Sequence, residues 1–199
     1  MPISGPVSVT ALNMTGRAPV LVLGLGNPLL RDDGVGLEML RRLAMNEAVW
    51  DGQVEFLDGG TQGLTLLSAI GGRESLVVLD AIRTGSPAGT PHVFEGREVE
   101  AFHHTRGSSA HETDARELLQ TAELLGDTPG AVALVGIEPE ETTTGIGLSP
   151  AVLANLDDAL GKARSVVNAA VAALSEKHVG RKREGEHYVS GGAGENQTD

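Results

Sequence analysis

Apolar runs of strand length alternate with segments of helical periodicity along most of this chain. Three runs, residues 19–26, 75–82 and 131–139, are rich in Val, Leu and Ile, which indicates strands buried on both faces beneath helices. Two shorter runs, 54–58 and 92–96, predict further strands, the second of them at a sheet edge. The segments with helical periodicity are residues 34–45, 63–70, 112–126 and 149–176. This alternation predicts an α/β layered sheet.

Composition excludes several classes of protein. The chain has no cysteine, so disulfides, thiolate catalysis and thiolate metal ligands are ruled out. The net charge of −12 opposes binding to nucleic acid and to anionic membrane surfaces. No apolar run approaches the roughly 20 residues that span a bilayer, and the N-terminus lacks the pattern of a signal peptide. We therefore expect a cytoplasmic protein with neither a nucleic-acid nor a membrane partner. We also expect the protein to be a monomer.

The length of 199 residues predicts one domain. Residues 1–17 contain Pro, Gly, Ser and Thr without a sustained period and are expected to form a flexible leader. Residues 18–175 carry the alternating pattern and form the predicted α/β domain. The segment 176–199 is polar and Gly-rich, which predicts a disordered tail.

The loop after the first strand begins like a phosphate-binding turn and then departs from that pattern. Gly24-Leu25-Gly26 supplies two glycines of a G-x-G-x-x-G fingerprint, but Leu29 occupies the third position. Two adjacent carboxylates, Asp32 and Asp33, follow where a phosphate site needs bare backbone N–H groups. A nucleotide- or small-molecule-binding protein that uses this turn remains an alternative interpretation.

Acidic residues follow four of the predicted strands, where ligands bind in open α/β sheets. They are Asp32-Asp33, Asp58, Asp80 and Glu138. Such crowding of carboxylates favours a bound divalent cation. Asp80 is the strongest candidate ligand because it directly follows a buried apolar run. Asp80 could instead be a helix N-cap or a turn-forming residue. Asp33 could be a helix N-cap or an acid in the first turn that complements the helix dipole, and Asp58 before Gly-Gly is typical of a turn.

Histidine offers few further ligands. The residue at the start of the predicted helix 112–126 is His111, which could project over the rim of the sheet. His103 and His104 lie in a loop, where adjacent histidines are more often solvated than bound to metal. No G-x-S-x-G or H-E-x-x-H motif is present.

Taken together, five segments resemble the maturation proteases of nickel-iron hydrogenases, which remove a C-terminal extension from the hydrogenase large subunit. The similarity covers roughly residues 19–175. It rests on "LVLGLGNPLLRDDGVG" (21–36), "LDGGTQGLTLL" (57–67), "LVVLDAIRTGSPAGT" (76–90), "SSAHETDARELL" (108–119) and "VALVGIEPEETTTGIGLSPAV" (132–152). The resemblance implies a three-layer α/β/α sandwich around a twisted, mostly parallel five-stranded sheet. It also implies a role for the glycine turn after the first strand. The turn would place an acid at the carboxyl ends of the strands, where the acid could bind a metal.

The resemblance further implies a metal-binding cleft formed by Asp33, Asp80 and His111, which would also carry the catalytic function. Gly59 and Gly60 would belong to a loop that contacts substrate. The metal would be nickel already inserted in the large-subunit precursor, and Zn or Cd could replace it in vitro. The sequence alone does not separate this endopeptidase from a non-catalytic chaperone of hydrogenase assembly.

Overall fold

A five-stranded sheet forms the centre of the protein. A computed structural model describes residues 16–99 and 112–189. The strands occur in the order β2-β1-β3-β5-β4. Neighbouring pairs are parallel except for β4, which lies at one edge antiparallel to β5. The strands are β1 (Val20–Leu25), β2 (Val54–Gly60), β3 (Ser75–Ala81), β4 (Pro91–Glu95) and β5 (Val132–Ile137).

The described residues also contain α-helices and 3-10 segments between and after these strands. The α-helices are α1 (Val35–Ala44), α2 (Leu67–Ile70), α3 (Glu112–Leu125) and α4 (Pro150–Val189), and the 3-10 segments are Arg31–Gly34, Glu47–Trp50 and Gly63–Leu66. None of the helices described is both long and apolar enough to cross a lipid bilayer.

Helices cover both faces of the sheet, and each face has its own apolar core. Val22 of β1 packs with α1 and α4 on one face, whereas Leu21 and Leu23 of the same strand pack with α2 and α3 on the other. Alternate side chains of a strand point to opposite faces, so a strand buried on both sides must be apolar throughout. The predicted three-layer α/β/α sandwich with a mostly parallel sheet is therefore confirmed.

The prediction of a disordered tail from residue 176 is wrong over its first part, because α4 continues to Val189. Residues 176–189 are rich in Glu, Lys and Arg, which favour helix, and contain no proline. Polar composition therefore indicated that this segment lacks a core-facing stripe, not that it lacks helical structure. Residues 1–15 of the predicted leader and residues 190–199 of the predicted tail lie outside the described residues.

The strand order creates one reversal of direction. From β1 the chain passes through α1 to β2 on one side, and from β2 it passes through α2 to β3 on the other side of β1. The carboxyl ends of β1 and β3 thus diverge at a topological switch point, where open α/β sheets form their ligand crevice.

Candidate active site at the carboxyl edge of the sheet

The start of α1 lies directly on the carboxyl ends of β1 and β3. A Cβ atom on Gly36 would collide with the carbonyl oxygen of Leu79 and come within 2.5 Å of that of Leu25. Only glycine permits this approach. It brings the 3-10 segment Arg31–Gly34, which carries Asp33, into contact with β3, which carries Asp80. The structure therefore places the segments that carry two of the three predicted ligands against each other at the carboxyl ends of β1 and β3.

The glycine turn after β1 is built around Asp33 and has no space for a phosphate. Gly26 has a φ of +119°, and a Cβ there would collide with the Asp33 carbonyl oxygen. Every backbone N–H from residue 26 to residue 33, where Pro28 has none, is bonded within the protein. A phosphate would have to displace these bonds, so the structure argues against the nucleotide-binding alternative.

Asp33 is buried, with 3% of its surface exposed. Its Oδ2 atom accepts a hydrogen bond of 2.8 Å from the backbone N–H of Asn27. The residue that precedes α1 is Gly34, and no side chain caps this helix. The alternative interpretation of Asp33 as the N-cap is therefore wrong. Its carboxylate instead closes the strand-to-helix loop.

Asp80 is also buried, with 4% exposure, and is the penultimate residue of β3. Its Oδ1 atom accepts a hydrogen bond of 2.8 Å from the backbone N–H of Ala81. The chain continues from β3 through a loop to β4, so Asp80 is not a helix N-cap. A carboxylate buried at the carboxyl edge of a central strand is costly unless it is partnered, and it can serve as a ligand there.

Asp32, the neighbour of Asp33, has a different role. Its side chain is fully buried, and its two oxygens accept hydrogen bonds from the backbone N–H groups of Glu140, Glu141 and Ser149 at 2.9, 3.1 and 2.6 Å. These bonds fasten the loop after β1 to the loop that leads into α4. The same two loops also hold Arg31 at a φ of +50°, which is uncommon for a residue with a side chain. Asp32 is therefore a structural anchor for the segment that carries Asp33.

Glu138, which follows β5, is a second structural carboxylate. It accepts hydrogen bonds from the N–H and the hydroxyl of Thr84 at 2.7 and 2.9 Å, and from the N–H of Gly85 at 3.3 Å. His92 lies 3.5 Å away. Burial raises the pKa of Glu138, but these hydrogen bonds and the nearby imidazole outweigh it, and the pKa lies below its usual value. Glu138 thus fixes the loop beside Asp80.

The Asp58-Gly59-Gly60 segment forms the end of β2 and is not a separate loop. Gly59 is buried, and a Cβ on it would lie 2.8 Å from a methyl group of Leu23, so a packing requirement explains this glycine. Gly60 has a φ of +47°, and its carbonyl accepts the N–H of Gly26 at 3.0 Å. Contact of Gly59 and Gly60 with substrate remains a prediction. Asp58 is exposed.

The described residues alone do not contain a complete metal site. Within residues 16–99 and 112–189, no three side chains of the ligating types His, Cys, Asp and Glu lie close enough together to hold an ion. His103, His104 and the predicted ligand His111 lie outside these residues. The buried pair Asp33 and Asp80 can supply two oxygen ligands, and a borderline cation such as Ni²⁺ would also favour an imidazole nitrogen. This donor chemistry fits the predicted set.

The roles of Asp32 and Glu138 were not predicted from the sequence. In the sequence, both residues follow predicted strands, as Asp33 and Asp80 do, so all four acids were candidate ligands. One signal was available for the pair Asp32-Asp33, since successive side chains in a 3-10 turn point about 120° apart. Both carboxylates could not face the same crevice, but the spacing did not reveal which of them turned inward.

Comparison with known proteins identifies the family to which this chain belongs. The sequence model described as hydrogenase maturation protease matches residues 37–166. The hydrogenase expression/formation protein HupD of Rhodobacter capsulatus is 39% identical over 145 residues, which cover 72% of this chain and 69% of that protein. The hydrogenase 2 maturation protease of Escherichia coli is 37% identical over 142 residues, covering 71% of this chain and 85% of that protein.

Solved structures agree with this match. The hydrogenase maturating endopeptidase HybD of Escherichia coli superposes with a TM-score of 0.67 at 31% identity, covering 76% of this chain and 93% of that one. HybD of Thermococcus kodakarensis, a [NiFe] hydrogenase maturation protease, gives 0.61 at 30% identity, covering 74% and 97%. The chain belongs to the hydrogenase maturation protease family. It is a hydrogenase maturation endopeptidase, and hence a peptide hydrolase.

Proposed function

We propose that this endopeptidase removes the C-terminal extension from the large-subunit precursor of a nickel-iron hydrogenase after nickel has been inserted. Family membership supports the reaction class and the kind of partner. The observation that carries the proposal is the pair of buried carboxylates, Asp33 and Asp80, at the switch point between β1 and β3. Two carboxylates at this position are ligands that a cationic centre in the substrate could use.

In this proposal the nickel belongs to the substrate and serves as its recognition signal. Asp33, Asp80 and His111 complete the coordination of the nickel that the precursor carries, and Zn or Cd can replace it in vitro. Two carboxylates and one imidazole bind Ni²⁺ well enough to engage it without retaining it permanently. Docking of the nickel centre then sets the position of the peptide bond to be cut.

Hydrolysis of the peptide bond requires an activated water and a polarised carbonyl group. A carboxylate of the crevice acts as the base that accepts the proton of the water. The protein's own contribution is to hold Asp33 and Asp80 rigidly, through the Asn27 and Ala81 backbone N–H groups. It also excludes bulk water from these carboxylates, because both are almost fully buried.

The decisive experiment compares three substrates for the metal-stripped enzyme: nickel-loaded precursor, nickel-free precursor and an unstructured peptide that spans the junction. Mass spectrometry should show removal of the extension from the nickel-loaded precursor alone. Equal cleavage of the two precursors would contradict nickel recognition while leaving the protease assignment intact. Binding of the nickel-loaded precursor without any cleavage would instead support the chaperone alternative.

We further propose that the enzyme acts as a monomer in the cytoplasm on one precursor molecule at a time. Residues 18–175 would form the single protease domain. Light scattering on the free enzyme and on a complex with the precursor should give one copy of each. A stable dimer of the free enzyme would contradict this part of the proposal.

A further inference from the structure

A large groove lies beside the candidate active site. It has a volume of about 840 Å³ and runs between α1, β2 and the segment that leads into α4. Gly34, which directly follows Asp33, forms part of its wall, and Asp58 lies at the end of β2 within it. The groove therefore adjoins the segment that carries Asp33.

The walls of the groove are largely apolar although the groove is open to solvent. Leu37 of α1 and Phe56 of β2 line it, together with Leu148. At its margin, Ile146 and Leu153 expose 85% and 52% of their surfaces. Contiguous exposed apolar side chains that are bordered by polar residues are typical of a binding surface for another protein.

Charged residues around the groove are paired within the protein, with one exception. Arg31 lies 3.2 Å from Glu141. Glu38 binds Arg41 and the adjacent Arg42, and the hydrogen bond from Arg41 lowers the pKa of Glu38 to about 2, against the opposing effect of burial. The side chain of Asp58 has no hydrogen-bond or ion-pair partner among the residues that the structure describes. The Asp58 carboxylate is therefore the acidic group of this groove that a basic side chain of a ligand could pair with.

We propose that the groove binds a segment of the large-subunit precursor that carries apolar side chains and one basic side chain, and that the basic side chain pairs with Asp58. This inference rests on the function proposed above and specifies the substrate class. Apolar burial along α1 provides affinity, whereas the Asp58 carboxylate sets the register of the segment relative to Asp33 and Asp80.

The apolar part is tested by placing a charge at the margin of the groove. Leu153→Glu and Ile146→Glu should each raise the KM for nickel-loaded precursor about tenfold, with kcat changed less than about twofold, because a buried apolar contact is lost from binding. Leu124→Glu is the matched control, since Leu124 lies on α3, away from the groove, and is 86% exposed. Unchanged KM in both groove variants, or an equal rise in the control, would overturn the proposal.

The ionic part is tested with Asp58→Asn and with salt. At about 50 mM salt the Asp58→Asn variant should show a KM about tenfold above that of the wild type, and the difference should shrink at about 500 mM, where screening is strong. A second test combines Asp58→Lys with precursors in which each Lys, Arg or His near the junction is changed to Glu. One such precursor should restore a low KM. A fall in kcat alone, or the absence of any restoring precursor, would overturn the pairing.

These outcomes can be separated from failure of the proposed function. If the wild-type enzyme does not process nickel-loaded precursor, the proposed function fails. If it does so, and the groove variants bind and cut as the wild type does, only the groove assignment fails. Light scattering provides a further check, because a dimer that dissociates in Leu153→Glu would identify a second copy of this chain as the occupant and overturn the proposal.

Discussion

The sheet buries charged side chains of opposite sign at the amino ends and at the carboxyl ends of its strands, called here the amino edge and the carboxyl edge. The two edges stabilise these charges in different ways. At the amino edge, Arg73 is buried and its guanidinium bonds to Glu55 at 2.7 Å and to the carbonyls of Ala18 and Ala69 at 2.6 and 3.0 Å. At the carboxyl edge, the buried charged side chains among the described residues are all carboxylates: Asp32, Asp33, Asp80 and Glu138. The cation is neutralised by a side chain of its own chain, whereas two of the four acids are held mainly by backbone N–H groups.

This difference indicates that the buried charge at the amino edge stabilises the fold, whereas the carboxyl edge also serves the function of the protein. Removal of charge at the amino edge should cost stability and leave the chemistry intact. At the carboxyl ends of the strands the acids divide into two kinds, because Asp32 and Glu138 hold loops whereas Asp33 and Asp80 are the proposed ligands. Burial of a carboxylate has a desolvation cost, and we expect a cationic ligand to offset part of that cost at Asp33 and Asp80.

The largest effect is expected at Asp80. Asp80→Ala should reduce processing of nickel-loaded precursor by at least about a thousandfold, because it removes a ligand that also positions the reacting bond. The measurement is the initial rate by mass spectrometry, with circular dichroism to verify the fold. Asp157→Ala, an exposed acid of α4, is the control and should process normally. Full activity in a folded Asp80→Ala variant would remove Asp80 from the site.

A second large effect concerns His111, which lies outside the described residues. The isolated enzyme should bind Ni²⁺, Zn²⁺ or Cd²⁺ weakly, and His111→Ala should lower the affinity about tenfold to a hundredfold, because one of three ligands is lost. Calorimetry with each metal measures this affinity. The controls are His103→Ala and His104→Ala. If one of these loses binding and His111→Ala does not, the imidazole of the site has been assigned to the wrong residue.

The layered sheet could be predicted from the sequence because its signals are local, and so could the burial of Asp80 at the end of a strand. Buried strands are apolar throughout, and Asp80 directly follows such a run. The roles of Asp32 and Glu138 depend on contacts with residues more than 50 positions away, such as Ser149 and Thr84. No periodicity encodes such contacts. The sequence predicted that the last helix ends at residue 176, whereas α4 ends at Val189. The reason is different here, because a polar helix that extends beyond the core has no apolar stripe to reveal it.

The contrast between the two edges predicts that replacing a buried charge at the carboxyl edge lowers stability more than replacing the one at the amino edge. Asp32→Ala should lower the free energy of unfolding by about 3–5 kcal/mol, because it leaves three backbone N–H groups without their acceptor in a buried site. Arg73→Met should lower it by about 1–3 kcal/mol, because the half-exposed Glu55 can regain water. Urea unfolding gives both values.

Processing of the precursor should also differ between the Arg73→Met and Asp32→Ala variants. Under conditions where both variants are folded, Arg73→Met should process precursor as the wild type does, whereas Asp32→Ala should be impaired because Asp33 is no longer held in place. If Arg73→Met were also inactive, the amino edge could not be treated as purely structural. If Asp32→Ala were fully active, its hydrogen bonds would stabilise the fold without positioning Asp33.

The smallest effect is a pH dependence of stability from Glu138. The pKa of Glu138 is lowered in the folded protein from its usual value of 4.5. The folded state therefore binds fewer protons than the unfolded state in this range, and stability rises with pH. The contribution is complete above pH 4.5 and is lost as the pH falls below 4.5 through the folded pKa. Thr84, Gly85 and His92, the groups that face this carboxylate, lose a charged partner when it is protonated.

Replacement of this carboxylate isolates its share. Glu138→Gln should be less stable than the wild type at pH 7, and the difference between the two should narrow as the pH falls below 4.5. Urea unfolding of both proteins from pH 7 to about pH 3.5 measures this difference, and subtraction removes the contribution of Glu38, whose lowered pKa is common to both proteins. A difference that stays constant across this range would show that Glu138 holds the Thr84 loop equally well in its neutral form. The carboxyl edge would then owe its loop structure to hydrogen-bond geometry and not to charge.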